Sequence, residues 1–352
     1  MKTTFTNIFA FLFCFAFHFH LSAQDPHFSQ PYAAPLQVNP ALNGLFSGGV
    51  RIIGNYRNQW SSILSQQAFQ TSAVSVDWRK PATKRNYFGL SLQGLHDQAG
   101  TARFSQNRFG AGVSFLKHLD GNGYNSSYQY LIGGIQAGLG QNRFDHNSLW
   151  FSPQFNTQTG EIDRQVASGE QIEMMATPMF MDLNAGIMWY TVWEDNLSLY
   201  AGAAMFHINR PDISFLDSGP FSLDRRWVGQ LGGEFPLTKQ LSFLPNVIFM
   251  SQGTSRMTFA GGNFRYTNKD WREVALRAGA WARIVNSTTG TPAADAVAVT
   301  AFLEMESVFL GLSYDLTTSK LSPSNGSRGS FEVSLTYILQ SQVKSKVKCP
   351  HL

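Results

Sequence analysis

Charge is scarce in this sequence. Only 14% of its 352 residues are Asp, Glu, Lys or Arg, against about 25% in ordinary soluble domains. The formal net charge of +4 is small and scattered, which argues against a nucleic-acid-binding protein. Cysteine is nearly absent, with Cys14 and Cys349 the two copies. After the N-terminal leader no run of about 18 apolar residues occurs, so no transmembrane helix is expected. The histidines outside the leader, His27, His96, His118, His146, His207 and His351, have no metal-ligand spacing. No G-x-S-x-G is present, which leaves hydrolysis without a motif. No cofactor is expected, and nothing points to an enzyme.

Phe (29) and Gly (31) are abundant, hydrophobic residues reach 43%, and the mean hydropathy is nevertheless −0.15. A β-barrel has this profile, because every second residue along its strands is polar or small. The chain opens with Lys2, an apolar stretch over 8–19 and Leu21-Ser22-Ala23 before Gln24, the layout of a secretory signal peptide over 1–23. Its removal takes Lys2 from the 27 basic residues and none of the 23 acidic ones, so the net charge falls from +4 to +3. It also leaves Cys349 alone, with no internal disulfide available.

The closing hairpin sets the pattern. Val308, Leu310, Leu312, Tyr314 and Leu316 share one parity, while Phe309, Gly311, Ser313 and Asp315 share the other. Phe331, Val333, Leu335, Tyr337 and Leu339 then alternate with Glu332, Ser334 and Thr336. Such alternation puts the two faces of a strand in two environments, here lipid outside and a wet or plugged lumen inside. Comparable segments at 50–60, 69–79, 87–94, 108–117, 128–140, 179–190, 197–207, 226–235, 241–251, 257–266, 272–284, 296–304, 307–316 and 328–339 predict about fourteen strands. The fold expected is all-β, a transmembrane antiparallel β-barrel over 50–339. Residues 24–49 form an irregular periplasmic or luminal arm, and 340–352 a periplasmic tail.

With both termini in the periplasm, the long connections 141–178, 208–225, 285–295 and 317–327 fall outside and the short ones 191–196, 236–240 and 267–271 inside, as outer-membrane barrels require. The 141–178 connection is too long for a turn and is a candidate functional loop or plug. Inward charges Asp182, Glu273, Arg277, Arg283 and Asp315 are expected to pair in the lumen, with a pore constriction or partner contact as the other reading. The paired glycines Gly133-Gly134, Gly232-Gly233 and Gly261-Gly262 suggest curvature or close packing of a plug.

Ordered motifs carry a resemblance. Asp25-Pro26-x-Phe28-Ser29-Gln30, Asn39-Pro40-Ala41-x-x-Gly44 and Tyr56-Arg57-x-Gln59-Trp60 resemble the opening of the PorP/SprF family. Asp182-Leu183-Asn184-Ala185-Gly186, the Pro211 region, Arg277-Ala278-Gly279, Asp295-Ala296, Gly311-Leu312-Ser313-Tyr314-Asp315 with Ser319 and Leu321, and Cys349-Pro350 continue the likeness. The last residues depart from the family's basic-aromatic finish.

The resemblance implies an outer-membrane component of the type IX secretion system of Bacteroidota. Such a protein secretes or anchors a cargo, including gliding adhesins, through the cargo's C-terminal sorting domain. Implied partners are outer-membrane lipid, other secretion components, the cargo domain and periplasmic or peptidoglycan-associated proteins. Partner-binding candidates are Tyr56, Arg57, Gln59, Trp60, Asp182, Asn184, Tyr314, Asp315 and Cys349. Asp315 is a candidate for a contact at the outer rim, with a luminal ion pair the simpler reading. A passive porin or small-solute channel is the alternative function, and an outer-membrane hydrolase a third.

Overall fold

Period-two alternation makes every predicted segment a strand of one sheet, and a sheet with one apolar and one polar face closes when its two ends can pair. A computed structural model describes residues 25–119, 128–169, 175–194, 196–215, 221–268, 274–286, 290–320 and 322–340. The leader, Glu273, Cys349 and the rest of the tail beyond 340 lie outside the described residues.

The strands are β1 (Val50–Gln59), β2 (Phe69–Pro81), β3 (Tyr87–Ala99), β4 (Phe104–Leu119), β5 (Tyr128–Arg143), β6 (Phe180–Glu194), β7 (Leu197–Phe206), β8 (Arg226–Pro236), β9 (Leu241–Gln252), β10 (Ser255–Thr267), β11 (Val274–Asn286), β12 (Pro292–Met305), β13 (Val308–Thr317) and β14 (Arg328–Leu339). Each pairs antiparallel with its neighbours, and β1 pairs with β14 from Val50↔Leu339 to Gln59↔Ser330. The result is the expected fourteen-strand closed barrel. A further two-residue ladder, Phe155–Asn156 with Glu161–Ile162, sits in the connection after β5. Among the described residues no helix is long and apolar enough to cross a membrane.

Parity decides exposure. On β13, Leu310, Leu312, Tyr314 and Leu316 are exposed while Gly311, Ser313 and Asp315 are buried. Around the wall Val74, Phe109, Ile135, Ile187, Leu231, Val299 and Leu335 form an outward apolar band, as lipid requires.

Long connections gather at one end, at 60–68, 144–179, 207–225 and 318–327. We call this the far end, and the end where the chain runs into β1 the entry end. Two links at the far end are tight turns. β3 and β4 pair out to Ala99↔Phe104, with Gly100 at φ 70°, and β9 and β10 pair out to Gln252↔Ser255, with Gly253 at φ 55°. The expected long link 285–295 is also short, because β11 and β12 keep pairing to Asn286↔Pro292. A shift in register between Arg283 and Ile284 lets Arg283 and Asp295 meet on the inner side.

The arm runs through the interior and leaves beside it a cavity of about 320 Å³ lined by Tyr32, Arg51, Arg277 and Glu304 among others. Phe28, Ser29, Gln30, Ala34, Leu36, Val38, Asn39, Ala41, Leu42, Asn43 and Leu45 are all buried. Its prolines break it into single turns, Pro31–Ala33, Pro35–Val38 and Pro40–Leu42, each starting on a proline. That is where proline fits, since the first helical N–H has no intrahelical acceptor anyway.

Candidate functional site

The contact between arm and wall is the most elaborate polar structure in the molecule. A buried backbone polar group must find a partner, and the inner faces of the strands supply them. At the entry end Arg51 pairs with Asp77 at 2.8 Å and donates to the Leu42 carbonyl, while Asp77 accepts the Gly44 N–H at 2.9 Å. Ser114 Oγ donates to the Asn43 carbonyl at 2.6 Å, and Asn55 to that of Ala33 at 3.1 Å. Asn39 caps its own turn by accepting the Ala41 N–H and donates to the Ile187 carbonyl of β6.

Glycines make room for this stretch. A Cβ on Gly134 would collide with the Pro40 carbonyl, one on Gly186 with the Asn39 side chain, and one on Gly89 with the Asn43 carbonyl. The outward Gly133 meets nothing. Gly232, Gly233, Gly261 and Gly262 instead admit side chains and backbone of neighbouring strands, including Tyr200, Trp281 and Phe243. Apolar packing completes the seat. Ala41, Leu42 and Leu45 join Tyr87, Leu116, Tyr130, Ile132, Met188 and Tyr190 in one buried cluster.

Toward the far end the arm is held by charge. Glu332 accepts the N–H groups of Ser29 and Gln30 at 2.6 and 3.0 Å. Ser29 Oγ donates to Asp315 at 2.7 Å. Asp315, fully buried, also pairs with Arg283 at 2.8 Å and Arg57 at 3.5 Å, and Arg57 donates to the His27 carbonyl. Arg283 reaches Asp295 as well, at 2.7 Å. Asp25 meets Arg108 at 2.8 Å, Arg226 at 3.0 Å and His207 Nε2 at 2.6 Å, while His207 Nδ1 faces Asp182 at 2.8 Å. Burial alone would raise the Asp25 pKa, but Arg108, His207 and Arg226 outweigh it and hold the carboxyl well below its ordinary value. Away from the arm, Glu304 pairs with Arg277 and Arg265, and Arg265 approaches Glu234.

Of the candidates read from the sequence, Arg57 and Asp315 come together inside the lumen. Asp182 and Asn184 come together around His207, whose backbone N–H donates to Asn184 Oδ1 at 2.9 Å. Tyr56 and Tyr314 are exposed on the outer face, opposite Val333 and Phe331 of β14 respectively, in the manner of an interfacial aromatic belt. Gln59 is half-buried at the end of β1, and Trp60, at φ 60°, turns the chain and packs on Phe69 at 5.3 Å. The site residues that sequence reasoning missed are Arg108, His207, Arg226 and Glu332. Their signal was the arm itself, whose Asp25 and two consecutive N–H groups need partners once enclosed.

Outside the lumen, the 144–179 connection exposes Trp150, Phe155, Ile162, Val166 and Met175. It is braced against the 207–225 connection through Phe144 and Phe215, at 5.1 Å. Among the described residues no group of His, Cys, Asp and Glu is placed to hold a metal ion.

The model of a family described as type IX secretion system membrane protein PorP/SprF matches residues 20–337. No curated protein matches the chain. Among solved structures, CdiB from Acinetobacter baumannii is similar at 8% identity and TM-score 0.46, over 82% of this chain and 60% of that one. The TodX monoaromatic hydrocarbon channel is similar at 12% identity and TM-score 0.47, over 87% and 93%. BamA from Haemophilus ducreyi follows at 10% identity and TM-score 0.40, over 83% and 70%.

Proposed function

The chain belongs to the PorP/SprF family of type IX secretion system membrane proteins, and on that premise we propose that it secretes a cargo protein or anchors it at the cell surface, without acting as an enzyme. Family and fold together imply a β-barrel of the outer membrane. In this reading the far end faces outward and the entry end the periplasm, and the leader over 1–23 is removed on export. A C-terminal sorting domain of a surface protein, a gliding adhesin among the options in Bacteroidota, meets the far-end loops. The 144–179 connection, with Trp150, Phe155 and Ile162 exposed, offers the apolar surface for it. Tyr56 and Tyr314 face lipid or a partner's wall, and the tail with Cys349 meets periplasmic or peptidoglycan-associated components.

The observation that carries this choice over a passive porin is the occupied lumen. A general diffusion pore needs a water-filled passage, whereas here an apolar and charge-paired arm runs through the interior from Asp25 to Phe46 and narrows it. Deleting the gene tests the proposal: one or more surface proteins carrying the sorting domain should stay in the cell or be shed into the medium. Unchanged surface display of all of them rejects it, and steady open conductance of the purified wild-type barrel in planar bilayers favours the porin.

A further inference from the structure

The arm is seated by two kinds of force. From Val38 to Phe46 it is held mainly by apolar packing and by glycine-lined backbone contacts, with the Arg51–Asp77 pair gripping the Leu42 carbonyl and the Gly44 N–H. From Asp25 to Gln30 its polar contacts are chiefly with charged side chains of the wall. The difference is greatest at Asp25. One carboxylate there receives Arg108, Arg226 and His207, with side chains of Arg226 and His207 only 9% and 1% exposed. The backbone N–H of Asp25 donates to Gln252 at 3.0 Å.

Each ring nitrogen of His207 faces a carboxylate, Asp25 on one side and Asp182 on the other. Ionised carboxylates only accept hydrogen bonds, so both nitrogens must donate and the imidazole is a cation. Three cations thus converge on Asp25, with Asp182 behind them as the other carboxylate. Remove the Asp25 side chain, and the wall keeps a buried, preorganised group with a surplus of positive charge. Beside it lies a small cavity of about 40 Å³ lined by Pro26, Gln93, Gln136 and Asn184, roomy enough for water.

We propose that Arg108, Arg226 and His207 form a carboxylate-binding site in the lumen, filled in cis by Asp25, and that this pairing latches the far half of the arm in place. The site takes any small carboxylate or acidic side chain that reaches it once the arm withdraws. The part that moves ends at Pro35, beside the apolar seat over Val38–Phe46 that stays fixed. The proposal stands on the geometry of the lumen and is independent of which cargo the barrel serves.

Chemical rescue in the full-length protein tests it. Ala34 is 5% exposed and packs against Ala73 and Leu95, so Ala34→Cys in a Cys349→Ser background reports departure of the arm by its rate of maleimide labelling. Adding Asp25→Ala should speed labelling roughly tenfold or more, the scale for unpairing a buried charge. Replacing chloride by acetate at equal ionic strength should bring the rate back toward that of the parent. Labelling that is no faster in Asp25→Ala overturns the latch, and acceleration that acetate leaves untouched overturns the carboxylate site. If Asp25→Ala gives no folded, heat-modifiable barrel, the parent carries the test: acetate should itself accelerate labelling by competing with Asp25, and equal rates in acetate and chloride refute the proposal.

Discussion

His207 Nε2 lies 2.6 Å from Asp25 Oδ2, joining the residue that follows β7 to the far end of the arm. Burial opposes the charge on the imidazole, but Asp25 and Asp182 outweigh it and hold its pKa above the ordinary value. The signs of the two shifts differ. The raised His207 contributes stability below its ordinary pKa of about 6.5 and loses it as pH rises through the folded value. The depressed Asp25 contributes above about 3.9 and loses it as pH falls through its own. The arm should therefore be most firmly seated between about pH 4 and 6.5 and loosen on both sides. The maleimide labelling rate of the Ala34→Cys variant, divided at each pH by that of the same variant unfolded in urea so that the thiolate fraction cancels, should pass through a minimum there, and a flat normalised profile contradicts the linkage.

The glycine cradle gives a paired prediction. Gly134→Ala sets a methyl group against the Pro40 carbonyl and should cost about 1–3 kcal/mol as overpacking. Gly133→Ala points into open space on the outer face and should stay within about 0.5 kcal/mol of the parent. Thermal unfolding in detergent separates them. Equal melting of the two variants would mean that the arm is not pressed against β5.

Asp315 tests the second charged group. Asp315→Ala leaves Arg57 and Arg283 buried without the carboxylate they share, a loss of about 3–5 kcal/mol for a broken buried pair. Tyr314→Leu, next in sequence but exposed outward, should change stability little. Urea midpoints at constant slope are the measurement. A mild effect of Asp315→Ala would indicate that water has replaced the carboxylate.

For the outer surface, Trp150→Ser with Phe155→Ser should leave barrel folding unchanged, because both side chains are exposed on a connection outside the wall. Display of the cargo at the cell surface should fall. Normal display with the doubly substituted loop moves the cargo contact elsewhere.

The wall could be read from the sequence because parity is local. Leu310, Leu312 and Tyr314 declare their face without reference to any other strand, and many of the fourteen segments repeat that logic. The ends of the strands were harder, since polar residues near the rims, such as Gln98 and Gln106, alternate too weakly to show that pairing continues between them. The arm's location was open for a different reason. A polar, proline-rich segment has the same composition whether it hangs below a barrel or fills it. What decides is complementarity between residues far apart in the chain. His207 and Asp25 are 182 positions apart, and nothing in the neighbourhood of His207 announces its partner. Arg57 and Asp315 stood in recognisable motifs, but that they meet over the arm is a property of the closed barrel.

Pairing between β1 and β14 joins the first strand of the wall to the last. Until the residues up to Leu339 are in place, the sheet has two free edges and its interior is an open trough. The arm precedes β1 and can lie down in that trough before the final ladder forms. In that order of assembly the barrel wraps around its own plug, and no step need draw the arm through a narrow mouth. A chain shortened within β14 loses the seam and, with Glu332, the group that receives Ser29 and Gln30, so closure and filling of the barrel fail together.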